Sequence, residues 1–460
     1  MNDTICAIST PPGEGGIAVI RISGPEAIVI ASAVFFTANG SLSNQPTHTV
    51  VYGSIRDGGE IVDEALATVF RAPRSYTGDD TVELSCHGSR YVQQQTMRLL
   101  VEKGCRTALA GEFTQRAFLA GKMDLSQAEA VADLIASTSR GMHRLALNQM
   151  RGGFGKELQR LREQMLEFVS LIELELDFGE EDVEFADRSR LNTLASEIEN
   201  LVGKLAASFN VGNAIKNGIP VAIIGETNAG KSTIMNLLVD DDRAIVSDIH
   251  GTTRDAIEDT AVVSGISFRF IDTAGIRETT DVIETIGIAR TFDKLDQASI
   301  ALWVIDLTTD DALTEALAKV IVPRLKGKTV VLLFNKADLL APSALEAKKG
   351  LLPMVEGRRL YMSAFRDEDI SLLKDNLVEA AALPSISAGD IVVTNVRHHE
   401  ALTHAHSSIR RVIEGLATNI PSDLLSQDIR ECLHHIGEIT GHITSAEVLR
   451  NIFSRFCIGK

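Results

Sequence analysis

The residues whose types and spacing could do chemistry begin at Val221-Ala-Ile-Ile-Gly-Glu-Thr-Asn-Ala-Gly-Lys-Ser232. An apolar run ends at Gly225. Gly230, Lys231 and Ser232 then lead into a helical pattern of Ile234, Met235, Leu237 and Leu238. A strand, a glycine loop and a helix N-terminus together cradle phosphate: backbone N–H groups wrap the anion and the helix dipole favours its charge. The lysine reaches the outer phosphates, and the serine hydroxyl ligates magnesium.

Further sites follow in a fixed order. Gly251-Thr-Thr-Arg-Asp255 offers hydroxyls to a metal and a terminal phosphate. Asp272-Thr-Ala-Gly275 comes directly after the apolar run Phe268–Ile271, where the aspartate suits the metal's water shell and the glycine N–H a γ-phosphate. Asn335-Lys-Ala-Asp338 closes the run Val330–Phe334. A carboxylate at Asp338 accepts from guanine N1–H and N2–H₂, which adenine cannot supply. Ser363-Ala364 would cover the guanine O6. Each tetrapeptide alone reads equally as a turn or a helix cap. All of them in this order, each at a strand's carboxyl end, resemble the Ras-like translation-factor class of GTPases. The expected GTP contacts are Asn228, Ala229, Gly230, Lys231, Ser232, Thr233, Ser247, Thr252, Thr253, Asp272, Thr273, Ala274, Gly275, Asn335, Lys336, Asp338, Ser363 and Ala364.

Two features depart from a Ras-like switch. Ile276 stands where a glutamine would orient the attacking water, so another residue must help; Glu278, Asp281 and Glu284 are the acidic candidates. Asn228 lies within the glycine loop, and Ser247-Asp-Ile-His-Gly251 precedes the threonines. An amide oxygen and loop carbonyls there would suit a monovalent cation in place of an arginine finger. Asn228 reads equally as a turn former.

The elements that must position these residues alternate strand and helix from about 215 to 380, with continuous apolar runs that fit a mainly parallel sheet covered on both faces. Residues 1–119 read as a mixed α/β (α+β) domain. Its expected strands are Thr4–Ile8, Ile17–Ile22, His48–Ser54, Ala65–Phe70 and Thr81–Cys86, with a helix Tyr91–Lys103 stopped by Gly104. Leu158, Leu161, Met165, Phe168 and Ile172 recur at helical spacing, as do Leu191, Leu194, Ile198, Leu201 and Leu205. The period returns after 395 in Leu402, Ile409, Val412 and Leu416, and in Ile429, Leu433, Ile436 and Ile439, and Thr444-Ser-Ala-Glu447 reads as the capping box of a last helix. The chain is therefore expected to be multidomain, with a discontinuous helical domain (120–214 and 381–460) carrying an inserted Ras-like P-loop domain (215–380). Ser385-Ile-Ser-Ala-Gly389 reads as the return linker, and the apolar stripes as core with a dimer seam as a second use.

At 460 residues the chain exceeds a single core, and its 45% hydrophobic and 23% charged residues are those of a globular protein. No apolar run approaches the ~20 residues of a membrane span, and no secretory signal opens the sequence. The five scattered cysteines, without a C-x-x-C, read as free thiols in a reducing cytoplasm. Cys457 is fourth from the end as in a prenylation signal, but Lys460 is a poor last residue for it. A formal net charge of −17 argues against coating nucleic acid by bulk electrostatics, and leaves room for a local basic patch or a basic partner.

The whole chain resembles the tRNA-modification GTPase MnmE (TrmE) family. Beyond the nucleotide motifs, the matching stretches are Thr10-Pro-Pro-Gly-Glu-Gly-Gly16, Arg21-Ile-Ser-Gly24, Ser75-Tyr-Thr-Gly78, Gly111-Glu-Phe-Thr114, Arg116-Ala-Phe-Leu119, Asp124-Leu-Ser-Gln-Ala-Glu129, Asp272-Thr-Ala-Gly-Ile-Arg-Glu278 and Cys457-Ile-Gly-Lys460. The resemblance implies an N-terminal domain that binds a tetrahydrofolate derivative (5-formyl or 5,10-methylene) and forms the homodimer. It also implies an FAD-dependent MnmG-like partner in a heterotetramer or larger complex, and addition of an aminomethyl-type group to C5 of the wobble uridine of certain tRNAs. Carried over by residue, Arg21, Glu83, Lys122 and Lys460 would contact folate. Potassium would be held by Asn228, Ser247, Ile249 and Thr252, and magnesium by Ser232 and Thr253. Glu284, Lys231 and Thr253 would be catalytic, with Cys457 a candidate nucleophile. Glu226 and Ser247 depart from the basic residue and the threonine common in relatives. The competing reading is a GTP-dependent regulatory switch, or a ribosome or RNP assembly factor, without modification chemistry.

Overall fold

Alternating apolar and polar residues in the first ninety positions give strands with one buried face. They are β1 (Ile5–Ile8), β2 (Gly15–Ser23), β3 (Phe35–Phe36), β4 (Thr49–Asp57), β5 (Glu60–Phe70) and β6 (Thr81–Gly88). With β7 (Arg106–Thr107) they form a seven-stranded sheet ordered β3-β4-β5-β6-β2-β1-β7. The structure is a computed structural model and describes residues 3–38, 40–177, 188–226, 228–240, 259–271, 295–382, 391–418 and 420–459. Every pairing in this sheet is antiparallel except β1 with β7.

Ala18, Ile20 and Ile22 of β2 and Val82, Leu84 and Cys86 of β6 point to one face, where helices Ala27–Val34 and Arg90–Glu102 bury them. Arg21 and Glu83, partners across β2 and β6, alternate with these residues and take the other face. The second helix stops as its glycine predicts. Gly104 adopts φ +114°, its N–H donates to Val101 O, and Cys105 N–H donates to Leu100 O. That is the paired closure a left-handed residue allows.

Two compact units divide the chain: residues 1–136, 146–202 and 401–460 form the first, and 137–145 with 203–400 the second. In the first unit the helical stripes are core. Met165 and Phe168 of helix Gly153–Asp177 meet Leu191, Leu194 and Ile198, and Ile409, Val412 and Ile429 close the cluster. Leu201 and Leu416 are half-buried, and Val202 is fully buried beside Leu201. The last helix corrects another expectation. It runs Ala446–Ser454 with Ser445 as its cap, whose hydroxyl accepts from Val448 N–H, while the Thr444 hydroxyl is buried without a partner. Position N3 is then Val448, and Glu447 cannot complete a capping box.

The second unit holds a six-stranded sheet ordered β13-β12-β11-β8-β10-β9. Its strands are β8 (Ile219–Gly225), β9 (Asp259–Val263), β10 (Ile266–Ile271), β11 (Ile300–Asp306), β12 (Thr329–Asn335) and β13 (Arg358–Tyr361). All neighbours are parallel except the β9–β10 hairpin. Its turn residues, Ser264 and Gly265, both have positive φ. On the central strand β11, Ile300, Leu302 and Val304 feed one core while Ala301, Trp303 and Ile305 feed the other, which is why the run is continuously apolar. Among the described residues, no helix is long and apolar enough to cross a membrane.

Candidate functional site

The glycine loop sits at the carboxyl end of β8, between β11 and β10. Gly225 (φ +147°) lies so close to β11 that a Cβ there would stand 2.1 Å from Val304 O. Gly230 (φ +97°) is similarly constrained, since a Cβ would approach Asn335 Nδ2 to 2.3 Å. The backbone contact excludes a side chain at Gly225, and at Gly230 a Cβ would displace the Asn335 amide and strain a left-handed φ, so the loop's path favours glycine at each position. Helix Lys231–Asp240 then begins, and Ile234 N–H donates to Gly230 O as its first turn closes. The N–H groups of Lys231, Ser232 and Thr233 therefore precede the helical ladder and are free to bind an anion. Ser232 and Thr233 are exposed on this first turn, and Asn228 is an exposed left-handed residue (φ +63°) in the loop.

Lys231 folds back over the loop, donating from Nζ to Gly225 O at 2.9 Å and to Glu226 O at 2.5 Å. Burial pushes its ammonium below the ordinary lysine value, and the Glu226 carboxylate offsets part of that effect. A half-buried ammonium with carbonyl partners is incompletely compensated, and a phosphate oxygen is the stronger acceptor for it.

Asn335 joins the cradle to the opposite loop. Its Nδ2 donates to Ala229 O at 2.8 Å, and its Oδ1 accepts from Ala364 N–H at 3.2 Å. Ser363 is fixed in turn by Asp369, whose Oδ2 accepts its N–H at 2.8 Å. Lys336, left-handed at φ +63°, pairs with Asp306 at the end of β11 at 2.6 Å. Burial raises the Asp306 carboxyl, but Lys336 and the Thr308 hydroxyl and N–H outweigh it and hold the group below its ordinary value. Asp338 is exposed, and among the described residues nothing bonds its carboxylate. Beside these residues stand Leu339 and Phe365, 66% and 88% exposed. Two large apolar side chains on the rim suit the faces of a purine. The sequence reading passed over both, although Phe365 directly follows Ser363-Ala364.

Comparison with known proteins agrees along the whole chain. Residues 4–122 match the family described as GTP-binding protein TrmE N-terminus, and residues 125–457 match the MnmE helical domain. A tRNA modification GTPase MnmE of Bacteroides thetaiotaomicron is 57% identical over 463 residues, covering 100% of this chain and 99% of its own. That of Parabacteroides distasonis is 58% identical over 461 residues, covering 99% and 100%, and that of Christiangramia forsetii 50% over 472 residues, covering 100% of both. This chain belongs to the MnmE family.

A second cluster of the residues that the MnmE resemblance singles out lies on the other face of the N-terminal sheet. Arg21 pairs with Glu83 at 2.8 Å across β2 and β6. The guanidinium carbon stands 5.6 Å from the ring centres of both Tyr76 and Phe113. Tyr76 is held by Thr114, hydroxyl to hydroxyl at 3.0 Å. Lys122 is exposed and donates to the Pro73 carbonyl, and a Cβ on Gly78 would touch its Cε at 3.4 Å. Arg21, Glu83 and Lys122 are thus gathered around the 73–78 loop, and Arg21 is already committed to Glu83.

The C-terminal tail lies along the rim of the same sheet. Ile458 bridges Ala110, Gly111 N–H donates to Cys457 O at 3.4 Å, and Ser9 Oγ donates to Gly459 O at 3.1 Å. Cys457 is exposed, while Cys6, Cys86, Cys105 and Cys432 are buried; burial pushes the Cys86 thiol up to about 11 and the Cys432 thiol up to about 12. The exposed thiol is therefore the one open to chemistry.

The turn that receives this tail is set by a buried ionic network the sequence reading did not foresee. Glu112 Oε1 accepts from Arg106 and Arg116, and Oε2 accepts from Arg106 and from Leu109 N–H. Arg116 also donates to the carboxylate and the carbonyl of Asp3. Ser247, Ile249, Thr252, Thr253, Asp272, Thr273, Ala274, Gly275, Ile276, Glu278, Asp281, Glu284, the linker 385–389 and Lys460 lie outside the described residues.

Proposed function

We propose that this chain is a GTP hydrolase that works in tRNA modification. Residues 215–380 would form its nucleotide domain, inserted into a helical domain of 120–214 and 381–460. The observation that carries this reading is the Asn335 amide, bonded at once to the phosphate loop and to the Ser363-Ala364 loop. It links a phosphate cradle to a base-reading edge whose free acceptor is Asp338. Asp338 would take the guanine N1–H and N2–H₂ and Ala364 would cover O6, while Lys231 would leave its carbonyls for the β- and γ-phosphates.

Ser232 and Thr253 would hold magnesium, and Asn228, Ser247, Ile249 and Thr252 potassium; both cations would offset charge developing on the phosphates. The exposed Ser232 hydroxyl at the helix start and the exposed Asn228 amide fit those roles. Glu284 would orient the attacking water in the place Ile276 cannot serve.

At the N-terminal face, Arg21, Glu83, Lys122 and Lys460 would bind a tetrahydrofolate derivative as the one-carbon source. Glu83, still partly exposed beside two aromatic rings, fits a pterin N–H edge, and the exposed Lys122 fits the glutamate carboxylates. This domain would form the homodimer. A flavoprotein partner of the MnmG type would share the addition of an aminomethyl-type group to C5 of the wobble uridine, with Cys457 the candidate nucleophile.

Nucleoside analysis of tRNA from a strain lacking the protein tests the activity, because the C5-modified wobble uridine should vanish; unchanged nucleosides would sink it. GTP turnover should be far faster in potassium than in sodium, and equal rates would remove the cation role of Asn228.

A further inference from the structure

The glycine loop carries a carboxylate that none of the roles above uses. Glu226 directly follows Gly225 and is half-buried. Its backbone carbonyl accepts the Lys231 ammonium at 2.5 Å, yet its side chain turns elsewhere: Oε1 accepts from Thr314 Oγ1 at 3.5 Å. Thr314 is 2% exposed, in helix Asp311–Ile321, which Asp310 caps by accepting Ala312 N–H. The backbone of Thr314 is thus held by its own helix, and its hydroxyl is the donor that the carboxylate meets.

We propose that Glu226 sets how tightly this site holds the triphosphate, with Thr314 restraining its carboxylate from Lys231. The proposal rests on reading the site as one for GTP. A phosphate loop that adds a fixed negative charge opposes each charge the ligand brings. The opposition grows from guanosine through GDP to GTP, because repulsion scales with the ligand's charge. A carboxylate free to swing would do more, since it could pair with the lysine that the outer phosphates need. Held on Thr314 it acts at a distance, while the backbone carbonyl of the same residue receives the Lys231 ammonium. A site built this way binds GTP less tightly than its donors alone would allow and so favours exchange over retention.

The test is nucleotide binding to the full chain, measured by calorimetry with GTP, GDP and guanosine at low and high salt. Glu226→Gln keeps the shape and the acceptor while removing the charge. It should tighten GTP by roughly three- to tenfold and GDP by less, leave guanosine unchanged, and lose the effect in high salt. Thr314→Val should weaken GTP binding in the native background and do nothing beside Glu226→Gln. Equal GTP affinity for Glu226→Gln and the native chain would overturn the proposal, as would an equal gain for guanosine. Failure of the native chain to bind any guanine nucleotide would instead overturn the reading of the site itself.

Discussion

Charged side chains are drawn into this protein in two places that are finished very differently. In the first unit, the carboxylate of Glu112 and the guanidinium of Arg116, each 3% exposed, meet at 2.9 Å, and Arg106 and Leu109 N–H fill the remaining acceptor positions of Glu112. Burial pushes the Glu112 carboxyl up, but Arg106, Leu109 N–H and Arg116 outweigh it and hold the group below its ordinary value. In the second unit, the hydrogen bonds of Lys231 among the described residues go to two backbone carbonyls, and the Asp338 carboxylate faces solvent. A saturated carboxylate has nothing left to give a ligand and works as framework. Groups left short of partners at the end of parallel strands mark a binding site.

Breaking the network around this carboxylate should have the largest effect. Arg116→Ala leaves Glu112 buried with a lost partner and should destabilise the first unit by about 3–5 kcal/mol. Chemical denaturation would read this, with GTP affinity unchanged; a loss under 1 kcal/mol would mean the network is relaxed in solution. Asp338→Asn tests the other side of the comparison. It should leave stability alone and cost guanine nucleotides on the order of a hundredfold in affinity while admitting xanthine nucleotides, as two hydrogen bonds to a charged acceptor imply. Preserved guanine preference would refute the assigned contacts.

A smaller effect should come from Asp306, which lies between the two extremes because Lys336 satisfies it. Its folded pKa is lowered, so its stabilising contribution is complete above the ordinary carboxylate value of about 4 and is lost as pH falls through the folded value. Asp306→Asn should flatten the acid limb of the second unit's unfolding curve below about pH 4. An unaltered limb would show that other carboxylates govern it.

The sequence made the saturated framework hard to see and the binding site easy. Strand, glycine loop and helix are local patterns, and β8, β10 and β12 all fall on the expected apolar runs. The role of Asn335 could not be read locally, because its bond to Ala229 O depends on β11 lying between β8 and β12, a matter of strand order. The Glu112 network likewise joins residues from both ends of a hundred-residue stretch, and nothing in Gly111-Glu-Phe-Thr114 announces Asp3 as a partner. The β9–β10 hairpin was legible and missed: Ser264-Gly265 is a turn signal between alternating residues. At the last helix, Thr444 and Ser445 offer the same hydroxyl, and only packing selects the second.

The bond from Ser9 to Gly459 joins positions 450 residues apart. During synthesis the strand edge carrying Ser9 leaves the ribosome long before its partner exists. The rim of the N-terminal sheet is therefore finished last, after the helices and the nucleotide unit have emerged. A chain that stalls late or loses its final residues would keep its phosphate cradle intact and lack the edge beside which Cys457 is presented.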